Sequence, residues 1–600
     1  MSEATQVQQR KDIPDQYKWD LSALFKTDED WDKELEELKK IAGEMSAFEG
    51  HLGDDADTLL AFLQKNDAMN FHATRLYVYA NMHHHEDTGV TKYQSLSAKA
   101  DDILVLCGSA TSFMTPEILA IPEEKLASFL AEEKLAPYKR MIDEILRAKP
   151  HTLSQKEEAL LAEVGSIAVG PDNIYSIFTN ADLKFPVITD VEGNKIQVTH
   201  GNYISLMQST DRKTRKQAFE ALYHTYQKFG NTIATTYVAH LKQDLFYAKA
   251  RNYASTRAMH LDSGNVPEEV YDNLIATVHK HLPDMHRYAA IRKKMLGVEE
   301  LHMYDMYVPL VDEGEQKFTF EEAKEVVAKA LAPMGEEYVS ILREGYDNGW
   351  IDAFENANKR SGAYSWGAYG THPYVFLNHK ENLDSVFTLA HEMGHAIHTY
   401  YSNKTQPFTY AEYLIFVAEV ASTCNEALLG EYLLKNTTDK AQRLALINQK
   451  LEGFRGTIFR QTMFAEFEMI AHRRLQNGES LTKEDLNAIY RKLNEEYFGP
   501  DVVIDEEIDS EWMRIPHFYT PFYVYQYATG YSAATAFSKM ILEEGEPAVK
   551  RYVENFLCGG SSKDPIDLLK AAGVDMSSPK PVDDALNVFA EYLEMFENEQ

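Results

Sequence analysis

Two histidines and a glutamate stand at a spacing that suits metal chemistry: His391-Glu392-Met393-Gly394-His395, within Thr388–His398. This is the H-E-x-x-H pattern of a helix-borne zinc site. A helix turns once every ~3.6 residues, so positions i and i+4 share a face, and His391 and His395 can put two imidazoles on one Zn²⁺. Glu392 sits about 100° round the helix. It is too close in sequence to share the metal but well placed to touch a water on it, as a general base must be. The pattern needs a third ligand. The extension H-E-x-x-H-x-x-G-x-x-H is excluded, because its glycine position holds His398 and its last histidine position holds Tyr401. A carboxylate on a following helix remains, and Glu419 lies in the most apolar part of the next helical stretch. A lone carboxylate there is costly unless paired or bound to metal. Glu426, two turns on, suits a carboxylate holding the far nitrogen of a ligating histidine. His398 is the rival third ligand. It shares the face of His391 and His395, but three ligands on one rigid helix fit a tetrahedron poorly, so it reads as a neighbour of the site.

Two helices must position these groups. Asn382 or Asp384 can cap the first, and Val386, Ala390, Met393, Ile397 and Tyr400 recur at spacings of three and four, a packing stripe that the histidines flank. The second reads as capped by Thr409, with Leu414, Val417, Ala421, Leu428 and Leu429 on its buried side. Before them a glycine- and aromatic-rich stretch, Arg360–His372, leads into Pro373–Asn378, which reads as a strand. Its edge could pair with an extended peptide, with Tyr374 and Phe376 as candidate substrate contacts. Further on, tyrosines 519, 523, 527 and 531 recur every four residues after His517. Such a row serves either packing or hydroxyl donation from one helix side.

Taken together, His391–His395, then Phe416-Val-Ala-Glu419-Val-Ala-Ser, resemble the thimet-oligopeptidase family of zinc metallopeptidases, in its bacterial oligoendopeptidase F branch. Further matches are Trp19–Phe25, Tyr374–Asn378 and His517–Gly530, and the resemblance runs through nearly the whole chain. It implies a large, two-lobed, mainly α-helical shell around a deep substrate channel. It also implies one Zn²⁺ per chain on His391, His395 and Glu419, and hydrolysis of internal bonds in short unstructured peptides. Zinc acidifies a bound water, Glu392 takes its proton, and a histidine–tyrosine pair stabilises the oxyanion. That pair would be His517 with Tyr523 or Tyr527, leaving Tyr519 and Tyr531 as substrate contacts. Two alternatives stay open: a zinc carboxypeptidase or dipeptidase on a similar shell, and a non-catalytic peptide-binding scaffold, for which Glu392 has no use.

Composition narrows the partners. Sixty Lys plus Arg against 93 Asp plus Glu give a net charge of −33, which argues against nucleic acid or an anionic membrane. Three cysteines, Cys107, Cys424 and Cys558, make no disulfide framework. The first ten residues lack the apolar core of a signal peptide, and no apolar run approaches the ~20 residues of a membrane span. The chain therefore reads as cytoplasmic. Residues 1–15 read as a loose tail, and residues 185–199 as a hairpin turning at Glu192-Gly193-Asn194. His83-His84-His85 lie on a helix, point about 100° apart and cannot share an ion. Helix dominates, with one or two small sheets. The segments divide into an N-terminal helical region (1–115), a helical segment plus hairpin completing an N-terminal lobe (116–200), and a catalytic domain (201–600).

Overall fold

The computed structural model describes residues 7–311 and 316–599. The chain is mainly α-helical, with three small sheets among the described residues rather than one or two. It forms two compact units that interleave along the sequence. One is Met1–Pro150, Glu315–Tyr432 and Phe537–Gly573; the other is His151–Gly314, Leu433–Ala536 and Val574–Gln600.

In the first unit, helices Asp28–Met45, Ala56–Glu86 and Thr91–Ala110 pack side by side. Each of the first two starts where the sequence supplies a cap: Thr27 accepts from the Asp30 amide and Asp55 from the Thr58 amide. Their apolar faces close over Trp31, whose indole donates to the Leu76 carbonyl at 2.9 Å. The three-stranded sheet has Tyr374–Phe376 at its centre, parallel to Ile351–Asp352 and antiparallel to Tyr364–Trp366. This corrects the reading of Pro373–Asn378 as an edge. Tyr374 and Phe376, expected as substrate contacts, are fully buried, and both pack on Trp19. Both sides of that strand are paired, and the outer strands are Ile351–Asp352 and Tyr364–Trp366.

The sheet is pinned from below by a buried ammonium. Lys359 Nζ lies 2.6 Å from Asp352 Oδ1 and donates to the carbonyls of Phe354 and Leu377, each at 2.6 Å. The other oxygen of Asp352 accepts from Arg10 at 2.6 Å, and Arg10 also meets Glu86 at 2.9 Å. The Ala357 amide donates to the Gln8 carbonyl. The chain is therefore docked from Gln8 onward, not loose to residue 15, because Arg10 finds two carboxylates; the first six residues lie outside the described ones. The histidine tract diverges as its helix demands. His83 turns to Glu86 at 3.0 Å and His85 to the Tyr364 hydroxyl at 2.8 Å.

In the second unit the hairpin forms where expected, Val187–Thr189 against Lys195–Gln197, with Gly193 supplying the positive φ of the turn. Leu301–His302 pairs in parallel with Val502–Val503. The long helices Gly230–Ala250, Arg460–Gln476 and Lys483–Phe498 pack on one another. All three cysteines are free. One described helical stretch, Thr91–Ala120, is long and apolar enough by composition to cross a membrane, with a mean hydropathy of 1.5 over its best window. Lys92, Lys99, Asp101 and Asp102 break its first half, so it holds no unbroken apolar run.

The buried Lys359–Asp352 pair gives a stability prediction. Asp352→Ala leaves an ammonium in the core with carbonyls but no carboxylate, which costs about 3–5 kcal/mol. The midpoint of thermal unfolding should fall by several degrees, while Lys33→Ala, which removes an exposed pair with Asp30, should leave it in place. An unmoved midpoint in Asp352→Ala would show that the carbonyls alone hold Lys359.

Candidate metal centre

The histidine helix, Leu383–Thr405, starts at Asn382, whose side chain accepts from the Ser385 amide at 2.9 Å; Asp384 is the second helical residue, not the cap. Val386, Ala390, Met393 and Ile397 are fully buried, and His391 and His395 flank that stripe. The carboxylate helix spans Ile415–Asn436 and starts later than expected. Thr409 belongs to a separate turn, Phe408–Ala411, where its hydroxyl donates to Asp67 at 2.8 Å, and Leu414 is exposed just ahead of the helix. Val417, Ala421, Leu428 and Leu429 are buried as expected.

The two helices touch through backbone. A methyl group on Gly394 would lie 2.6 Å from the Ser422 Cα and 2.9 Å from the Ala421 carbonyl oxygen, so only glycine fits. Asn425 locks the contact by donating to the Ala390 carbonyl at 3.1 Å, and is itself held by the Tyr338 hydroxyl at 2.8 Å. At this separation Glu419 Oε2 lies 3.2 Å from His391 Nε2 and 3.4 Å from His395 Nε2, and the two Nε2 atoms are 3.2 Å apart. Ser422 Oγ reaches the same Glu419 oxygen at 3.1 Å. Among the described residues, these three form the one group of His, Cys, Asp or Glu whose ligand atoms converge in this way.

A tetrahedron with ligand bonds of ~2.0–2.1 Å has edges of roughly 3.3–3.4 Å, so the three atoms occupy three of its corners. Two ring nitrogens facing each other at 3.2 Å also need something positive between them. Without a metal, a proton meets that need. Burial pushes His391 down, but Glu419 and Glu426 outweigh it and hold the imidazole up at about 10. Burial pushes Glu419 up, and the two imidazoles overcome it and hold the carboxyl well below the usual range. The donor set therefore fits a dication that displaces a proton.

Glu426 meets His391 Nδ1 in a short hydrogen bond, which directs Nε2 toward the ligand group. Glu419 differs from expectation in one respect. Its side chain is 44% exposed rather than set in an apolar interior, so histidines rather than burial fix it. His398 lies outside the convergent group. It is buried and stacked on Tyr413 at 3.7 Å, and its Nδ1 has no hydrogen-bond partner. Glu392 is buried beside the group; burial raises its pKa, and its Oε2 lacks a partner.

The tyrosine row does not form one helix face. Pro516–Tyr519 is a 3-10 turn, and a helix begins only at Tyr525. His517, Tyr523 and Tyr527 nevertheless cluster. The rings of Tyr523 and Tyr527 meet edge to face at 5.3 Å, and the Tyr527 hydroxyl lies 3.5 Å from His517 Nε2. Tyr519 is buried and stacks on Tyr175 at 4.3 Å, and Tyr531 packs edge-on to Phe454 at 5.1 Å. Of the two rings expected to touch substrate, Tyr519 is thus buried, while Tyr531 is half-buried. Gly394, Ser422 and Asn425 escaped the sequence reading. The available signal was Gly394, since a mid-helix glycine costs ~1 kcal/mol against alanine and needs a reason.

Known proteins match along the whole chain. The model of peptidase family M3 covers residues 205–588, and that of oligopeptidase F covers residues 117–185. Oligopeptidase PepF of Bacillus subtilis is 51% identical over 99% of this chain and 89% of its own. A crystal structure from Chlamydophila abortus superposes with a TM-score of 0.94 at 34% identity, covering 99% of this chain and 100% of that one. Oligoendopeptidase-F from Enterococcus faecium gives 0.74 at 38% identity, covering 95% and 99%. With a family model spanning well over half of its residues, the chain belongs to peptidase family M3.

Proposed function

We propose that this metallopeptidase is a zinc-dependent endopeptidase that cuts internal bonds of short, unstructured oligopeptides. The convergence of His391, His395 and Glu419 on three tetrahedral corners carries the reading. These three residues would hold one Zn²⁺ per chain. When bound, zinc supplies Lewis acidity to a peptide carbonyl and to water. Glu392 accepts the proton of the attacking water and returns it to the leaving amine. Its burial supports that role, because burial raises its proton affinity and so favours taking the water's proton. Glu426 fixes the tautomer and orientation of His391. His517 with Tyr523 or Tyr527 donates to the oxyanion, a role supported by their clustering. Oligopeptide substrates are supported by what the relatives are named for. We place the catalytic domain at 201–600 and an N-terminal lobe at 1–115 and 116–200, which are segments of sequence that the compact units interleave. Free cysteines and an acidic surface support a cytoplasmic setting.

A peptide blocked at both ends tests the reaction class. The endopeptidase cuts it internally with purified, zinc-loaded protein; a carboxypeptidase leaves it intact, and that result would sink the proposal. Glu392→Gln should keep about one equivalent of zinc and lose about 10²–10⁴ in kcat. Wild-type turnover in the zinc-loaded variant would remove Glu392 from the chemistry.

The helix contact gives an independent test of the ligand set. Gly394→Ala changes no ligand but forces backbone apart at Ser422. Zinc content at limiting metal should fall well below one equivalent, with chelator resistance lost. Full, tight zinc in a folded Gly394→Ala protein would mean that Glu419 does not depend on this contact.

A further inference from the structure

The turn that carries His517 and Tyr523 passes through one strained residue. Phe522 has φ +54°, whereas the other described non-glycine residues with positive φ are Asn252, Asn265 and Asn358. Asparagine tolerates that region; a bulky aromatic residue there is an outlier that persists only where its surroundings over-determine it. Here they do. The ring is buried, with His472 at 4.7 Å and Tyr271 at 5.8 Å. The amide donates to Glu468 Oε1 at 2.7 Å, and Glu468 is itself buried on helix Arg460–Gln476.

The floor beneath is polar. His240, His260 and His472 surround Asp244 at 3.8, 3.6 and 3.9 Å. Burial holds Glu468 well above the ordinary carboxylate range, with Asp244 adding to the effect. Glutamine matches its shape and keeps the acceptor oxygen that the Phe522 amide uses. Immediately after Phe522 come Tyr523 and the first turn of the next helix, in which the Tyr523 and Val524 carbonyls accept from the Gln526 and Tyr527 amides at 3.1 and 3.2 Å. The direction in which that helix leaves is thus set at Phe522.

We propose that Glu468 and Phe522 are positioning residues: the bond from the Phe522 amide to Glu468 holds the left-handed turn that brings Tyr523 and Tyr527 against His517. The proposal rests on reading those three as the oxyanion donors. A glycine at 522 would take the same φ without strain; the phenylalanine keeps the strain and gains a buried anchor. That pattern belongs to a turn whose geometry must not relax.

The test uses the full, zinc-loaded chain and a quenched fluorescent peptide. Glu468→Gln still accepts from the Phe522 amide and should turn over normally. Glu468→Ala should lose about 10- to 100-fold in kcat, as a displacement of ~1 Å does, with KM and zinc content nearly unchanged. Combined with Tyr527→Phe, it should be no worse than the more damaging single variant, because both act through one group. Normal turnover in Glu468→Ala, equal losses in the Gln and Ala variants, or losses that multiply fully in the double variant would each overturn the proposal. If Glu468→Ala does not fold, Phe522→Gly removes the anchor instead; it should lower kcat, and wild-type turnover would overturn the idea. Normal turnover in His517→Ala, Tyr523→Phe and Tyr527→Phe together would defeat the donor reading and this proposal with it. Losses there beside a normal Glu468→Ala would defeat the positioning alone.

Discussion

The metal centre depends on one backbone contact, Gly394 against Ala421 and Ser422. Ligand edges of 3.2–3.4 Å across two helices require axes closer than ordinary side chains allow, since packed helices usually stand 8–10 Å apart with side chains between. Removing the side chain at one crossing point lets Glu419 reach both histidines without stretching. Asn425 then ties the same two helices at Ala390, so the distance is held at two adjacent points rather than one. The candidate ligands His391, His395 and Glu419 sit on two helices whose separation the packing fixes.

Charge balance follows from that geometry. His391 lies between two carboxylates, Glu419 and Glu426, with Glu392 beside it. This much negative charge around two imidazoles is tolerable only if a cation sits among them. A proton on His391 is the cheapest one; a dication that displaces it satisfies all three carboxylates more fully. Metal uptake is thereby linked to proton release, and affinity falls as pH falls through the range where His391 regains its proton. Burial keeps Glu392 raised, whereas His391 and His395 overcome burial at its neighbour Glu419 and depress it. Two carboxylates on one site are thus shifted in opposite directions, as the proposed roles of ligand and proton carrier require.

Local pattern made the histidine helix legible. The i, i+4 spacing, the stripe from Val386 to Ile397 and the Asn382 cap all survive in the structure. Glu419 was legible for a partly mistaken reason, because its apolar neighbours mark the buried side of the helix while its own side chain faces out. The start of that helix was not legible. Thr409 has cap chemistry, but its hydroxyl is spent on Asp67, far away in sequence, and the helix waits for Ile415. Tyr374 and Phe376 failed because a strand's place in a sheet is decided by its partners, Ile351–Asp352 and Tyr364–Trp366, which no periodicity within the strand reveals. The tyrosine row failed in the same way. A spacing of four promised one helix, yet Phe522 adopts a left-handed turn, its amide on buried Glu468 and its ring against His472, contacts distant in sequence.

The two halves of the proposed chemistry are therefore held by different physics. Metal ligands need fixed separations that a helix pair supplies through bulk packing, and the only concession the sequence makes is a missing side chain at Gly394. Hydrogen-bond donors to a developing charge need directions as well as distances, and His517, Tyr523 and Tyr527 come from a turn, a linker and a helix start. No single regular element can aim three such groups. A strained residue locked by a buried acid can, because it fixes one backbone angle and hence every side chain that follows. The cost appears as an outlier φ and as buried polar groups left without direct partners, among them Glu468 Oε2 and both ring nitrogens of His472. Tolerance of such costs in a buried turn marks a place where geometry outweighs local stability.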